Sequence, residues 1–302
     1  MGRMSPLYTQ RGWFQALRSP EFVAYLSVSR PPRQGSRSEI LAVRRTLWNT
    51  PLIQDLLASQ QPAGDWPAYL PGREERLWFR QFPIPLSVLC DAGFSLDDEP
   101  VRRASRYLLS TLEDGVFRNP WREIDEPLEY YEAHIGHCLE AAAKSGLADH
   151  PRVRRAVQVA LEHQRWDGGW STRPAAWYAR DEARPDPEPS CEVCTAIMMR
   201  GLGCAARLDD AAVERMMAFR LEERGEAPAD WWVPEVLLQL EFLARQGRRA
   251  GDEHVQRLWQ RLEAARDEEG GFLPHESWKG YYPPEYIQCQ YDYLRWWLGD
   301  RW

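Results

Sequence analysis

The chain is nearly devoid of lysine: apart from Lys144 and Lys279, its 38 basic residues are arginines, and acidic residues outnumber them to give a formal net charge of −7. That balance argues against a phosphate-backbone partner, so no nucleic acid is expected. An apolar run of 18 residues is also missing, so no transmembrane helix is expected. Met1–Gln10 lacks the apolar stretch of a signal peptide. Cysteine is sparse, and most of Cys90, Cys138, Cys191, Cys194, Cys204 and Cys289 sit inside apolar helical patterns. This reads as a reduced, cytoplasmic protein with buried thiols. No segment of useful length alternates with the strand period. What remains is a chain of 302 residues, 44% hydrophobic, long enough for a large core. No linker divides it, so residues 1–302 read as a single domain; the longest irregular stretch, 171–189, has the length of a functional loop and reads as an ordered lid.

One phrase recurs. Gln-Gln-Pro-Ala-Gly-Asp-Trp (60–66), Leu-Glu-Asp-Gly-Val-Phe (112–117), Gln-Arg-Trp-Asp-Gly-Gly-Trp (164–170) and Asp-Glu-Glu-Gly-Gly-Phe (267–272) each lead through Gly to an aromatic. Gly64, Gly115, Gly168 and Gly270 are spaced by 51, 53 and 102, a period near 51 with one decayed copy near Leu221–Trp232. A period of that length marks one supersecondary unit used repeatedly. A second phrase carries Val101, Val153, Val213 and Val255, with Asp98, Asp149, Asp210 and Asp252 three or four residues earlier. Acidic residues there suit a helix N-cap, and Pro100 and Pro151 suit the first turn.

The unit is therefore two helices. One set spans about 99–112, 151–164, 210–223 and 252–267. The more apolar set spans about 38–48, 76–92, 128–145, 190–203, 233–246 and 284–298, with Gly93, Gly146, Gly203 and Gly247 as stops. Thr50 and Pro51 start a further helix to about 60, and Pro83 and Pro85 should kink or break the 76–92 helix. Six apolar helices and five amphipathic ones predict an all-α fold, an (α/α)6 toroid of about six helical hairpins with inner and outer rings. Residues 12–27 would supply the missing outer helix and close the ring against the last one. The competitor is an open solenoid, but the last helix (Tyr286, Tyr291, Tyr293, Trp296, Trp297) is too apolar for an end cap.

The pattern Val-x-Arg, a helix, Gln-x-x-Asp-Gly-Gly-Trp, then a second helix ending in Gly resembles the repeat of protein prenyltransferase β subunits and squalene–hopene-type cyclases. The resemblance is clearest over Gly136–Trp170 and extends more weakly over about 38–298. It implies an (α/α)6 barrel whose central cavity holds an isoprenoid chain, with prenyl-type transfer or cyclisation as the reaction class. A protein prenyltransferase would also need a helical-repeat partner subunit.

Geometry supplies a site independently. Every inner helix follows a Gly-aromatic turn, so all inner N-termini would open at one mouth, a positive field suited to a diphosphate or carboxylate. Arg184 and the other arginines of the long loops belong to that mouth. The candidate substrate-binding residues are Trp78, Phe82, Tyr131, His137, Arg184, Trp231, Tyr282 and Tyr286, at or near inner-helix starts; aromatic faces bind apolar chains and stabilise carbocations. Each also has a plainer reading as core or as a solvated rim.

Protein prenyltransferases place an Asp-x-Cys at one inner-helix start and a His at a neighbouring one as zinc ligands. His134 and Cys191 resemble those positions, and zinc is the cofactor they would imply. Pro189 stands where the Asp would be, so Glu188 or Glu192 would have to substitute, and the His precedes the Cys. The plainer reading is an apolar thiol beside a hydrogen-bonded His. The Asp-x-Asp-Asp acid of the cyclases and the Asp-Asp-x-x-Asp motif are both absent. No catalytic residue is assigned. Two alternatives stay open: a non-catalytic apolar-ligand or scaffold protein, and an (α/α)6 glycosidase-like enzyme using carboxylates such as Glu126, Glu129 and Glu132.

Overall fold

The computed structural model describes residues 19–31, 35–66, 82–118, 132–171, 190–224, 233–272 and 284–299. Among them are twelve helices and one short hairpin, which makes the class all-α. In chain order they are α1 (Pro20–Ser29), α2 (Arg37–Trp48), α3 (Pro51–Ser59), α4 (Pro83–Asp91), α5 (Glu99–Ser110), strands β1 (Leu112–Glu113) and β2 (Val116–Phe117), α6 (Glu132–Lys144), α7 (Pro151–Glu162), α8 (Glu192–Ala205), α9 (Asp210–Arg224), α10 (Val233–Arg245), α11 (Glu253–Ala264) and α12 (Pro284–Leu298). The chain forms two compact units, one of Ser59–Gly225 and one of Met1–Ala58 with Glu226–Trp302.

In the Ser59–Gly225 unit, α5 and α7 are one-sided. The repeated valine opens each stripe: Val101, Ala104 and Leu108 on one helix, Val153, Ala156 and Ala160 on the other, all fully buried. Helix α6 packs against both α4 and α8. Glycine permits the closest of these contacts. A Cβ on Gly136 would sit 2.7 Å from the Ile197 carbonyl oxygen, and one on Gly201 would sit 2.8 Å from the Gly136 carbonyl carbon. The α6 and α8 backbones therefore touch directly.

The Gly-aromatic phrase is a turn that locks onto the next repeat. Gly64, Gly115, Gly168 and Gly270 all have positive φ, between 80° and 105°. Gln60 Nε2 donates to the Gly64 carbonyl (3.1 Å), while Gln60 Oε1 accepts from Arg103 (2.7 Å). Gln164 repeats this, donating to the Gly168 carbonyl (2.8 Å) and accepting from Arg215 (3.0 Å). Each glutamine thus ties its turn to the arginine of the following Val-x-Arg phrase. The Gly115 copy is built differently. Asp114 and Gly115 both take positive φ and close a two-residue hairpin between β1 and β2. The alternation rule missed it because two residues per strand are too few to show a period.

Helix ends correct several expectations. Asp252 caps α11 as expected, accepting from His254 N (3.0 Å) and Val255 N (3.4 Å). Asp98 holds the cap position of α5, but its carboxylate accepts from Ser95 N (2.8 Å) instead. His150, not Asp149, caps α7, because its ring nitrogen accepts from Arg152 N (3.3 Å), and Asp149 pairs with Arg154 (2.6 Å). At α9 the cap is Asp209, accepting from Ala212 N (2.7 Å), and Asp210 is already helical. Pro83 opens α4, where no intrahelical N–H is needed; the 76–81 part of the expected helix lies outside the described residues.

Gly93, Gly146 and Gly247 stop helices, each in the left-handed region. The following N–H groups of Phe94, Leu147 and Arg248 reach back to the carbonyls of Leu89 (3.0 Å), Ala142 (2.8 Å) and Leu243 (2.9 Å), three copies of one Schellman ending. Gly203 does not: α8 runs through it to Ala205.

In the other unit, α10 packs against α11 and α12, and α12 also packs against α1. Arg30, just past α1, lies 5.0 Å from the Tyr293 ring centre on α12. Helix α10 is buried on nearly every face, including Val236, Leu237, Leu240, Phe242 and Leu243. The Gly270 turn is pinned by Arg266, which donates to the Gly270 carbonyl and to the Tyr291 hydroxyl (2.8 Å).

Candidate functional site

In the Ser59–Gly225 unit, the starts of α6 and α8 meet the Gln164–Trp170 turn. Asp167 accepts from Ser190 Oγ (2.6 Å), Ser190 N (2.7 Å) and Gly169 N (3.2 Å). Burial pushes its pKa up, but the hydrogen bonds from Ser190 and Gly169 prevail and hold it below the ordinary range. Trp170 is fully buried. Its indole N–H donates to the Ala160 carbonyl (2.8 Å), and its backbone exchanges bonds with Thr195 Oγ1 (2.9 Å) and Cys191 N (2.8 Å). Glu132, also fully buried, accepts from Ser171 N (2.6 Å). Both helix starts are thereby fixed to one turn, and they open at the same end.

The expected site residues fall as follows. Trp78, Tyr131, Arg184, Trp231 and Tyr282 lie outside the described residues, as does the side chain of Glu192. Phe82 is buried just before α4 and meets Tyr107 of α5 edge-on, with ring centres 4.6 Å apart. His137 is half-buried on α6, and Tyr286 is half-buried in the first turn of α12. His134 is buried with Nε2 3.5 Å from the Sγ of Cys138, one turn on. Burial pushes the Cys138 thiol well above its usual pKa, so it stays protonated. Cys191 occupies the cap position of α8 and is half-exposed. Among the described residues no three His, Cys, Asp or Glu side chains are grouped to hold a metal. The third expected ligand, Glu192, has its side chain outside the described residues, so the set His134, Cys191 and Glu192 is not seen together.

Three polar features escaped the sequence reading. The first is an ion network on the apolar helices. Glu140 of α6 meets Lys144 (2.6 Å) and Arg200 of α8 (2.6 Å), and Lys144 meets Asp91 of α4 (2.7 Å). Burial would raise the Glu140 pKa, but Arg200 and Lys144 outweigh it and hold the carboxyl well below its ordinary range. The signal was a Glu inside an apolar helical run.

The second is Asp65. It is 2% exposed, and Oδ1 has no hydrogen-bond partner among the described residues. Burial raises its pKa. Tyr107 is pushed up to about 12, first by burial and then by the Asp65 charge. At the matching position of the 164–170 turn stands Gly169, whose added Cβ would meet the Ser190 Cβ at 2.5 Å. The position that Asp65 fills is thus held by glycine in the 164–170 turn, where there is no room for a side chain.

The third lies in the other unit. Gln239 is 0% exposed on α10, and neither Oε1 nor Nε2 has a partner among the described residues. Each unsatisfied buried group costs about 1–3 kcal/mol. Gln290 of α12 is also buried, at 8% exposed. Within that helix run, Gln239 reads as one polar letter in an apolar word, and only its burial marks it.

No family model matches the chain, and no curated protein matches it in sequence. No helix among the described residues is long and apolar enough to cross a membrane.

Proposed function

We propose that the helical hairpins close into an (α/α)6 toroid and that the protein handles an isoprenoid chain in the central cavity. The observation that carries this reading is the repeated lock of turn onto helix. Gln60 with Arg103 and Gln164 with Arg215 join successive hairpins in the same way, through the residues of the Gln-x-x-Asp-Gly-Gly-Trp and Val-x-Arg phrases. A joint that recurs at two of the four turns suits an array of like units. The starts of α6 and α8 at one end favour a mouth lined by helix N-termini, suited to a prenyl diphosphate head group. The reaction class the resemblance implies is prenyl transfer or cyclisation.

One observation favours the non-catalytic reading beside it. His134 is buried against the neutral Cys138 thiol, a packing arrangement. A toroid that binds an apolar ligand without transforming it fits that environment.

The test is a melting-temperature screen with farnesyl diphosphate, geranylgeranyl diphosphate and a neutral oligosaccharide. Saturating ligand at about 100 Kd stabilises by roughly 2.7 kcal/mol, a shift of several degrees. A shift with the prenyl compounds alone supports the proposal. A shift with the oligosaccharide alone replaces it with the glycosidase-like reading, and no shift with either prenyl compound overturns it.

A further inference from the structure

Charge is divided unevenly along the chain. Residues 1–50 hold eight arginines and two glutamates, a net charge of +6 in a chain whose total is −7. Such asymmetry marks a segment that meets a negatively charged partner. Three of these arginines, Arg37, Arg44 and Arg45, belong to α2. The apolar pattern of the sequence places this helix in the inner ring, buried like its neighbours. The structure differs: α2 packs on α1, and of its twelve residues only Leu47 is buried.

The exposed side of α2 is ordered by its sequence. At its start Ser36 and Glu39 form a capping box: Ser36 N donates to the Glu39 carboxylate (2.7 Å), and Glu39 N donates to Ser36 Oγ (3.3 Å). The one acidic residue of the helix is thereby engaged at its first turn. Positions 37, 41, 44, 45 and 48 recur at three- and four-residue steps, so Arg37, Leu41, Arg44, Arg45 and Trp48 share one side of the helix along its whole length. Leu41 is 41% exposed, and Arg37 and Arg45 are exposed on either side of it. Trp48 is half-buried, with the Arg44 guanidinium 4.0 Å from its ring centre. No acidic side chain interrupts this strip.

We propose that the strip is a docking surface for an anionic lipid membrane. Arginines are drawn to anionic head groups, and their long stems keep the charge at head-group level while Leu41 and Trp48 meet the acyl boundary. Tryptophan suits that depth because its ring is apolar and its N–H stays wet. A nucleic-acid backbone would engage the arginines but give Leu41 no apolar partner. No helix among the described residues is long and apolar enough to cross a membrane, and the docking is peripheral. It is independent of the isoprenoid ligand, so either can fail without the other.

The test is co-sedimentation of the full chain with vesicles of phosphatidylcholine alone and of phosphatidylcholine with about one-third phosphatidylserine. The wild type is expected to pellet with the anionic vesicles only and to be released by about 0.5 M salt. A variant carrying Arg37→Gln and Arg45→Gln is expected to bind about 25-fold more weakly, about fivefold for each arginine, and to melt like the wild type because both side chains are exposed. A control carrying Arg106→Gln and Arg154→Gln, both exposed on α5 and α7, removes the same charge and is expected to bind like the wild type. Equal wild-type binding to both kinds of vesicle, or binding to neither, overturns the docking without any variant. A control weakened as much as the α2 variant overturns it as well, since net charge alone would then account for the binding. Retention of duplex DNA in place of anionic vesicles overturns it in favour of a nucleic-acid surface.

Discussion

Gly168 lies directly against the backbone of Arg215. A Cβ on Gly168 would sit 2.8 Å from the Arg215 carbonyl carbon and would collide with the oxygen attached to it. With φ at +87°, the position is closed to side chains on two independent grounds. The glycine of the repeated phrase is thus the point where one hairpin touches the next. Gly168→Ala is expected to destabilise by about 3 kcal/mol, read as a lower urea midpoint. Gly251 has nothing within 4 Å of an added Cβ and no positive φ, so Gly251→Ala is expected to be neutral or stabilising by about 0.5 kcal/mol.

The network at Glu140 ties together three neighbouring helices through buried charge. Removing its centre leaves Lys144 and Arg200 facing each other, so Glu140→Gln is expected to cost about 3 kcal/mol at neutral pH. The pH dependence has a definite sign. The folded-state pKa is lowered from 4.5, so the contribution is present above 4.5 and is lost as pH falls through the folded value. The gap in stability between wild type and variant is expected to hold at pH 7 and to narrow only in strong acid, measured by chemical denaturation at each pH.

Asp65 has the opposite sign. Its pKa is raised from 3.8 by burial, so its favourable contribution is present below 3.8 and is lost as pH rises through the folded value. Asp65→Asn is expected to raise the melting temperature by about 2 °C at pH 7 and to leave it unchanged at pH 3. A lower melting temperature at pH 7 would mean that the carboxylate is stabilising there.

The caps show where sequence reasoning reached its limit. The repeated acidic phrase located the helix starts to within a residue or two, and the local partner decided which side chain does the capping. Asp209 and Asp210 are equivalent as letters, yet only Asp209 stands outside α9 with its carboxylate on Ala212 N. Asp209→Ala is expected to cost about 1 kcal/mol and Asp210→Ala under 0.5 kcal/mol, measured by thermal denaturation.

Helix positions were legible because Val101, Val153 and Val255 head strongly periodic stripes, and because Gly93, Gly146 and Gly247 need a conformation other residues avoid. Gly203 misled for a related reason. Glycine also serves inside helices that pack closely, as Gly201 does against Gly136 in this same segment. The polar features were not legible. Glu140, Asp65 and Gln239 are conspicuous only once burial and partners are known, and neither follows from spacing along the chain. His134 and Cys191 were legible as residue types suited to a metal, and ligation depends on where side chains converge, which spacing along the chain does not give.

The account rests on an apolar isoprenoid chain occupying the protein. The most direct measurement is a titration followed by intrinsic fluorescence, which the 15 tryptophans make sensitive, using farnesyl and geranylgeranyl compounds against a neutral oligosaccharide. The account predicts a saturable change with one prenyl chain bound per protein and none with the oligosaccharide. A change that never saturates with any prenyl compound, or one produced by the oligosaccharide alone, would contradict it.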